Sequence, residues 1–202
     1  MRNFPVLSVL YFALQPCSVP FWQSSALPPA SPLVVAKKIS LPGIHNAGKI
    51  SDSLFRGAQP DIAHLDELKK LGVTTIVDLR SEASDTRERE RIQAESLGLH
   101  FISIPVGGFS APTAMQLAEF FSLLRETPLQ KIFVHCEYGR DRTGVFIAAY
   151  RIAFDHWSSD QAMSEMLVFG FNRRWHPAMV GFVQALPDRL HSDPTWKAVL
   201  GN

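Results

Sequence analysis

Short β-branched, apolar runs alternate with stretches of helical periodicity along this 202-residue sequence. That alternation predicts a single α/β domain, with a central, mostly parallel sheet flanked by helices. Two further observations support the class. The runs at residues 73–79 (VTTIVDL) and 131–135 (KIFVH) are apolar without a polar face, as strands covered on both sides are. Glycines stand where two of the helical stretches end, Gly72 and Gly98.

Taken in order, residues 53–56 (SLFR) form a short strand. Asp61 is placed to cap a helix in which Ile62, Leu65, Leu68 and Leu71 recur on one face. Residues 73–79 are the next strand, and residues 85–97 a charged helix. Its RERER stretch interleaves Glu88 and Glu90 with arginines, the pattern of a solvated face rather than a basic patch. Residues 99–104 (LHFISI) make a strand. Pro112 opens a helix to Leu124, with Leu117, Phe120, Phe121 and Leu124 facing inward. After the strand at 131–135, helices are predicted over 142–153, 159–169 and 177–190.

The hydrophobic fraction is 46% and the charged fraction 19%, so the chain can bury a core. Lys and Arg number 20 against 19 Asp and Glu, a net charge of +1. This near balance argues against nucleic acid as a partner. Cys17 and Cys136 are the two cysteines, which excludes a disulfide framework and a cysteine-rich zinc site. His45 and His64 are isolated and lack metal-ligand spacing.

Residues 1–26 have the pattern of a signal peptide: Arg2, an apolar run at 6–14, Pro16 and Pro20, then Ser24-Ser25-Ala26. The run is too short for a stable membrane span. Export to a periplasmic or extracellular compartment is the expectation, with a cytoplasmic location if the segment is not a signal. Residues 27–52 are expected to be a linker and entry segment, and residues 53–202 the folded domain.

The densest chemistry lies at residues 135–144, HCEYGRDRTG, between a predicted strand and a predicted helix. Ligands of α/β sheets bind at such strand ends. Backbone N–H groups of a tight loop and a helix N-terminus can cradle an anion. Arg142 adds a planar cationic fork suited to phosphate. The same positive field lowers the pKa of a nearby thiol, and a thiolate at Cys136 could attack phosphorus without a metal or other cofactor.

His135-Cys136, five intervening residues, then Arg142-Thr143 resembles the signature loop of cysteine-dependent protein tyrosine and dual-specificity phosphatases. The resemblance covers roughly residues 53–190 in element order and implies a dual-specificity-phosphatase-like fold. It implies that Cys136 forms a phospho-enzyme, Arg142 binds the phosphoryl oxygens, Thr143 assists the thiolate and His135 orients the loop. Glu137, Tyr138, Gly139 and Arg140 would line the bound phosphate. The implied substrates are phosphorylated proteins or phosphoinositide and inositol phosphate compounds.

In the common members of that family an Asp on a separate loop protonates the leaving oxygen. The corresponding residues here, 105–112 (PVGGFSAP), contain no Asp. Asp141, directly before Arg142, resembles the proposed acid of myotubularin-type and atypical bacterial tyrosine/lipid phosphatases. Residues 77–82 (VDLRSE) resemble a strand end of the same bacterial group. They make Asp78 the second candidate acid, with Arg80 beside it near the loop; an Asp–Arg pair fixing the strand end is the structural alternative. Gly107-Gly108 suggests a mobile lid or a plain turn. Arg56 follows the first strand and either reaches the site or, the plainer reading, is an edge-strand charge; residues 171–176 (FNRRWH) read as a loop that is solvated or holds the leaving group. Two other classes stay open: a rhodanese-like sulfur carrier and an inactive phosphate-binding module.

Overall fold

The computed structural model describes residues 35–82, 84–126 and 130–200. The segment assigned to a signal peptide, 1–26, lies outside the described residues. So do residues 27–34 of the linker.

Six strands form one sheet in the order β1-β2-β3-β6-β4-β5. They are β1 (Lys37–Lys38), β2 (Gly48–Lys49), β3 (Leu54–Ala58), β4 (Thr75–Arg80), β5 (His100–Val106) and β6 (Ile132–Cys136). β3, β6, β4 and β5 run parallel, while β1 and β2 pair antiparallel beside β3. The mostly parallel sheet is therefore the one expected. The described residues also form seven α-helices: α1 (Leu65–Lys70), α2 (Asp85–Ser96), α3 (Ala114–Glu126), α4 (Asp141–Phe154), α5 (Ser159–Val168), α6 (Pro177–Ser192) and α7 (Pro194–Val199).

The predicted helix from Asp61 opens instead as a 3-10 turn, Ile62–His64, and Asp61 makes no side-chain cap. Gly72 and Gly98 end the next elements with φ of 85° and 78°, a conformation that costs glycine little. α5 starts on a reciprocal capping box between Ser158 and Gln161.

Residues 35–52, within the expected linker and entry segment, pack into the domain. Ala36, Ile44, Ala47 and Ile50 are buried, and two short strands extend the sheet. The pairs Lys-Lys and Gly-Lys carry no strand signal of their own; β2 forms by pairing with β3, and β1 by pairing with β2.

Two apolar cores lie against the sheet. One gathers Phe120, Phe121, Val145, Phe146, Met166, Phe182 and Leu186 with Cys136. The other packs Leu65, Leu68, Ile76, Ala94 and Phe133. Helix α4 is nearly buried throughout, which places its N-terminus firmly at the end of β6. Among the described residues, no helix is long and apolar enough to cross a membrane.

Candidate active site

β6 ends at Cys136 and α4 begins at Asp141, so residues 137–140 turn tightly between a central strand and a buried helix. Gly139 makes the turn with φ of 64°, and a Cβ there would run into the backbone of Gly57 and Ala58. The loop carbonyls are pinned from outside. Gln59 N–H donates to Glu137 O at 3.2 Å. Asn46 Nδ2 donates to Gly139 O at 3.0 Å, to Phe169 O at 2.9 Å and more weakly to Tyr138 O at 3.4 Å. Arg56 Nη2 donates to Gly139 O at 2.6 Å. A carbonyl held outward turns the next amide N–H to the opposite side of its planar peptide. The loop interior is thus lined with donors, the arrangement that binds anions.

Arg56 is not an edge-strand charge. It is fully buried on β3, with β2 and β6 on either side, and its guanidinium lies 3.9 Å over the Phe169 ring. Burial pushes its pKa down to about 10.

Cys136 is 3% exposed. Burial alone would raise its pKa, but the Thr143 hydroxyl, the Thr143 and Gly139 amides and the Arg142 charge outweigh it and hold the thiol below its ordinary value. Among the described residues Thr143 Oγ1 is buried without a nitrogen or oxygen partner, which leaves it to the sulfur. Arg142 is also buried. Its Nη1 meets Glu82 Oε2 at 2.9 Å and donates to Val106 O at 3.3 Å, at the base of the glycine loop. Burial favours the neutral Glu82 carboxyl, yet the Arg142 bond keeps its pKa lowered.

His135 lies on the other side of the strand. Its Nδ1 is 3.1 Å from Cys136 O, and its Nε2 is 3.0 Å from Glu90 Oε1 and 4.0 Å from Asp78 Oδ1. Burial opposes its charge, but the Glu90 and Asp78 carboxylates raise its pKa overall. With both ring nitrogens protonated, Nδ1–H donates to the Cys136 carbonyl and fixes where β6 hands over to the loop.

Asp78 and Arg80 do not reach the loop interior as their sequence position suggested. Asp78 pairs in register with His135 across β4 and β6 and is fully buried. Arg80 Nε donates to Asp78 Oδ1 at 2.8 Å, and Arg80 Nη2 to Glu90 Oε2 at 2.7 Å. Arg87 Nε lies 3.0 Å from Asp78 Oδ2. Burial opposes the Asp78 charge, but its cationic partners hold the carboxyl below the usual range. A carboxylate locked among Arg80, Arg87 and His135 has no proton to donate, so the strand-end pairing is the reading the geometry supports. The RERER stretch is correspondingly not all solvated: Glu90 is fully buried in this network.

Asp141 stands where the loop passes into α4, at the first position of the helix. Glu137, Tyr138 and Arg140 are exposed at the rim, with the Arg140 guanidinium 4.8 Å over the Tyr138 ring. Sequence reasoning missed Asn46, Glu82 and Glu90 as site-building residues. Only Glu82 carried a signal, as the end of the VDLRSE stretch. Among the described residues, no group of three or more His, Cys, Asp or Glu is placed to hold a metal ion.

A mostly parallel α/β sheet that delivers a cysteine–five–arginine loop onto a buried helix is the architecture of the cysteine phosphatases. A family model described as "DSP-PTPase phosphatase fused to NAD+ kinase" matches residues 39–175, and the chain belongs to that family. Dual specificity protein phosphatase TpbA of Pseudomonas aeruginosa is 28% identical over 130 residues, 62% of this chain and 55% of the relative. Human phosphatidylglycerophosphatase and protein-tyrosine phosphatase 1 is 27% identical over 139 residues, 55% of this chain and 68% of the relative. The match spans about half the length of the TpbA sequence. The fold is shared with the TpbA crystal structure, at a TM-score of 0.65 and 23% identity, covering 86% of this chain and 98% of that one. It is shared too with the catalytic domain of the S. cerevisiae PP-IP phosphatase SIW14, at 0.61 and 19% identity, covering 78% and 97%.

Proposed function

We propose that the chain is a phosphatase that hydrolyses phosphate monoesters through a phospho-cysteine at Cys136. The observation that carries this is the buried Cys136 thiol, held toward its thiolate by Thr143, Gly139 and Arg142 inside a loop whose amides face inward. Sγ of Cys136 forms a bond to phosphorus as the bond to the leaving oxygen breaks. Arg142 and the loop amides hold the phosphoryl oxygens, and the leaving oxygen takes the proton of the Asp141 carboxyl. Water then adds to phosphorus and returns a proton to Asp141. The P–S bond breaks, releasing phosphate and the thiolate, which Thr143 stabilises as the leaving group.

The favoured substrate is an aryl phosphate of the phosphotyrosine kind. TpbA has been crystallised with pTyr. Here the exposed ring of Tyr138 offers an apolar face beside the loop. The exposed Arg140 supports a second reading, a polyphosphorylated inositol, the substrate class named for SIW14. Export is proposed on the pattern of residues 1–26 alone.

The test is phosphate release from phosphotyrosine, phosphoserine and phosphoinositide substrates with a chelator present, comparing the protein with Cys136→Ser. Release that survives chelation and vanishes in the variant is expected. No Cys136-dependent release on any substrate would overturn the reading in favour of a sulfur carrier or a binding module; persulfide formation on Cys136 would mark the carrier.

A further inference from the structure

The loop that usually supplies the proton donor holds no carboxylate here, yet its tip is engaged. Phe109, from the turn after Gly107-Gly108, stacks on His176 with ring centroids 5.1 Å apart and planes 23° apart. Phe171 also stacks on His176, at 5.8 Å and 28°. His176 closes the loop between α5 and α6 and is 6% exposed. Its Nε2 lies 3.4 Å from Asp141 Oδ1. That oxygen is buried and has no hydrogen-bond partner among the described residues, and neither has His176 Nδ1.

A buried carboxylate oxygen without a donor is costly, and structures retain such groups where they are used. Catalytic hydrogen bonds are often long in unliganded enzymes and tighten with substrate. Phe109 and Phe171 stack on the imidazole and fix its plane, with Nε2 on the Asp141 side, so the ring protonated at Nε2 can present that N–H to Oδ1. With that bond made at Oδ1, Oδ2 is the oxygen left to carry the proton for the leaving group.

We infer that His176 is the positioning residue for the Asp141 acid, and that Phe109 holds His176 in place. The donor of this enzyme is thus assembled from the signature loop and the α5–α6 loop, and the glycine loop contributes a cover rather than the acid. The inference rests on the phosphatase reading above. It extends that reading to residues outside the signature loop.

The experiment compares His176→Leu, His176→Gln and Phe109→Ala with the parent protein on a poor leaving group, phosphotyrosine, and a good one, 4-nitrophenyl phosphate. If the parent shows no Cys136-dependent release, the phosphatase reading itself has failed. If it does, His176→Leu is expected to lose ~10- to 100-fold in kcat on phosphotyrosine, the range in which misplacing a proton donor is felt, and far less on 4-nitrophenyl phosphate. His176→Gln, which keeps an N–H near the Nε2 position, should recover much of the loss. In the Asp141→Asn background His176→Leu should cost nothing further. Equal losses on both substrates, full additivity with Asp141→Asn, or an unchanged rate would each overturn the inference. Should His176→Leu fail to fold, the exposed Phe109→Ala decides. A smaller loss with the same leaving-group selectivity supports the inference, and an unchanged rate overturns it.

Discussion

Glu90 Oε1 lies 3.0 Å from His135 Nε2, both side chains fully buried, one on α2 and the other immediately before the cysteine on β6. The pair joins the helix over one sheet face to the strand that delivers Cys136. Through His135 Nδ1 it reaches the Cys136 carbonyl.

Glu90→Gln should therefore destabilise the fold, by about 3–5 kcal/mol, the range for removing one partner of a buried ion pair. Arg80 loses a carboxylate in the same step. Denaturant melts with unchanged m-value would register it. The pH dependence has a definite sign. The raised pKa of His135 contributes stability that is fully present below its ordinary value of 6.5 and is lost as pH rises through the folded value. The parent should lose midpoint denaturant concentration on that alkaline limb, and Glu90→Gln should flatten it. An identical limb in both proteins would remove His135 as its source.

Gly139 is required by both its φ and its neighbours. Gly139→Ala would place a methyl group against the Gly57 and Ala58 backbone, which cannot swing aside as a side chain can. Gly98→Ala is the control, since it has a comparable φ of 78° and nothing within 4 Å of the added carbon. Gly98→Ala should cost about 1 kcal/mol with activity kept, the scale for a non-glycine residue in the left-handed region. Gly139→Ala should lose phosphate release well beyond its change in melting temperature. Equal effects of the two substitutions would mean that the loop tolerates displacement.

Much of this arrangement was legible in the sequence, and the division has a physical cause. Cys136 and Arg142 are brought together by a tight loop between adjacent elements, so their spacing along the chain already encodes their spacing in space. The buried strands β4 and β6 were legible for the same reason, as local apolar runs. Glu90, Arg56 and Asn46 were not, because what makes them structural is a partner 45, 83 and 93 residues away respectively (His135 for Glu90, Gly139 for the other two). A buried charge and a solvated one look alike in sequence; only the fold supplies the partner. The short α7 was missed as well, and its Asp193 cap and Pro194 are local signals that could have found it.

Cys136 should react as a low-pKa thiol. Its alkylation by iodoacetate, followed against pH, should inflect below the ordinary thiol value of 9.0. Thr143→Ala removes the largest of the groups that lower it, so the inflection should move up and the thiol should react more slowly at neutral pH. A profile unmoved by Thr143→Ala would show that the amides and Arg142 alone set the thiolate.

Arg142 meets Glu82 and Val106 through the same nitrogen, Nη1. Nε and Nη2 therefore remain as a parallel pair of donors, the geometry that grips two oxygens of a phosphoryl group. Glu82 acts in this arrangement as an anchor that fixes the guanidinium plane. The anchor is a half-solvated one, since the Glu82 side chain is 58% exposed, so its loss should not unfold the protein. Glu82→Ala should instead raise KM and the inhibition constant of vanadate together, by roughly 10-fold, the effect of releasing one charge-assisted hydrogen bond from a binding group. The melting temperature should change little. Were Glu82 a competitor for Arg142 rather than its anchor, the variant would bind vanadate more tightly than the parent, and titration of both proteins with the oxyanion separates the two cases.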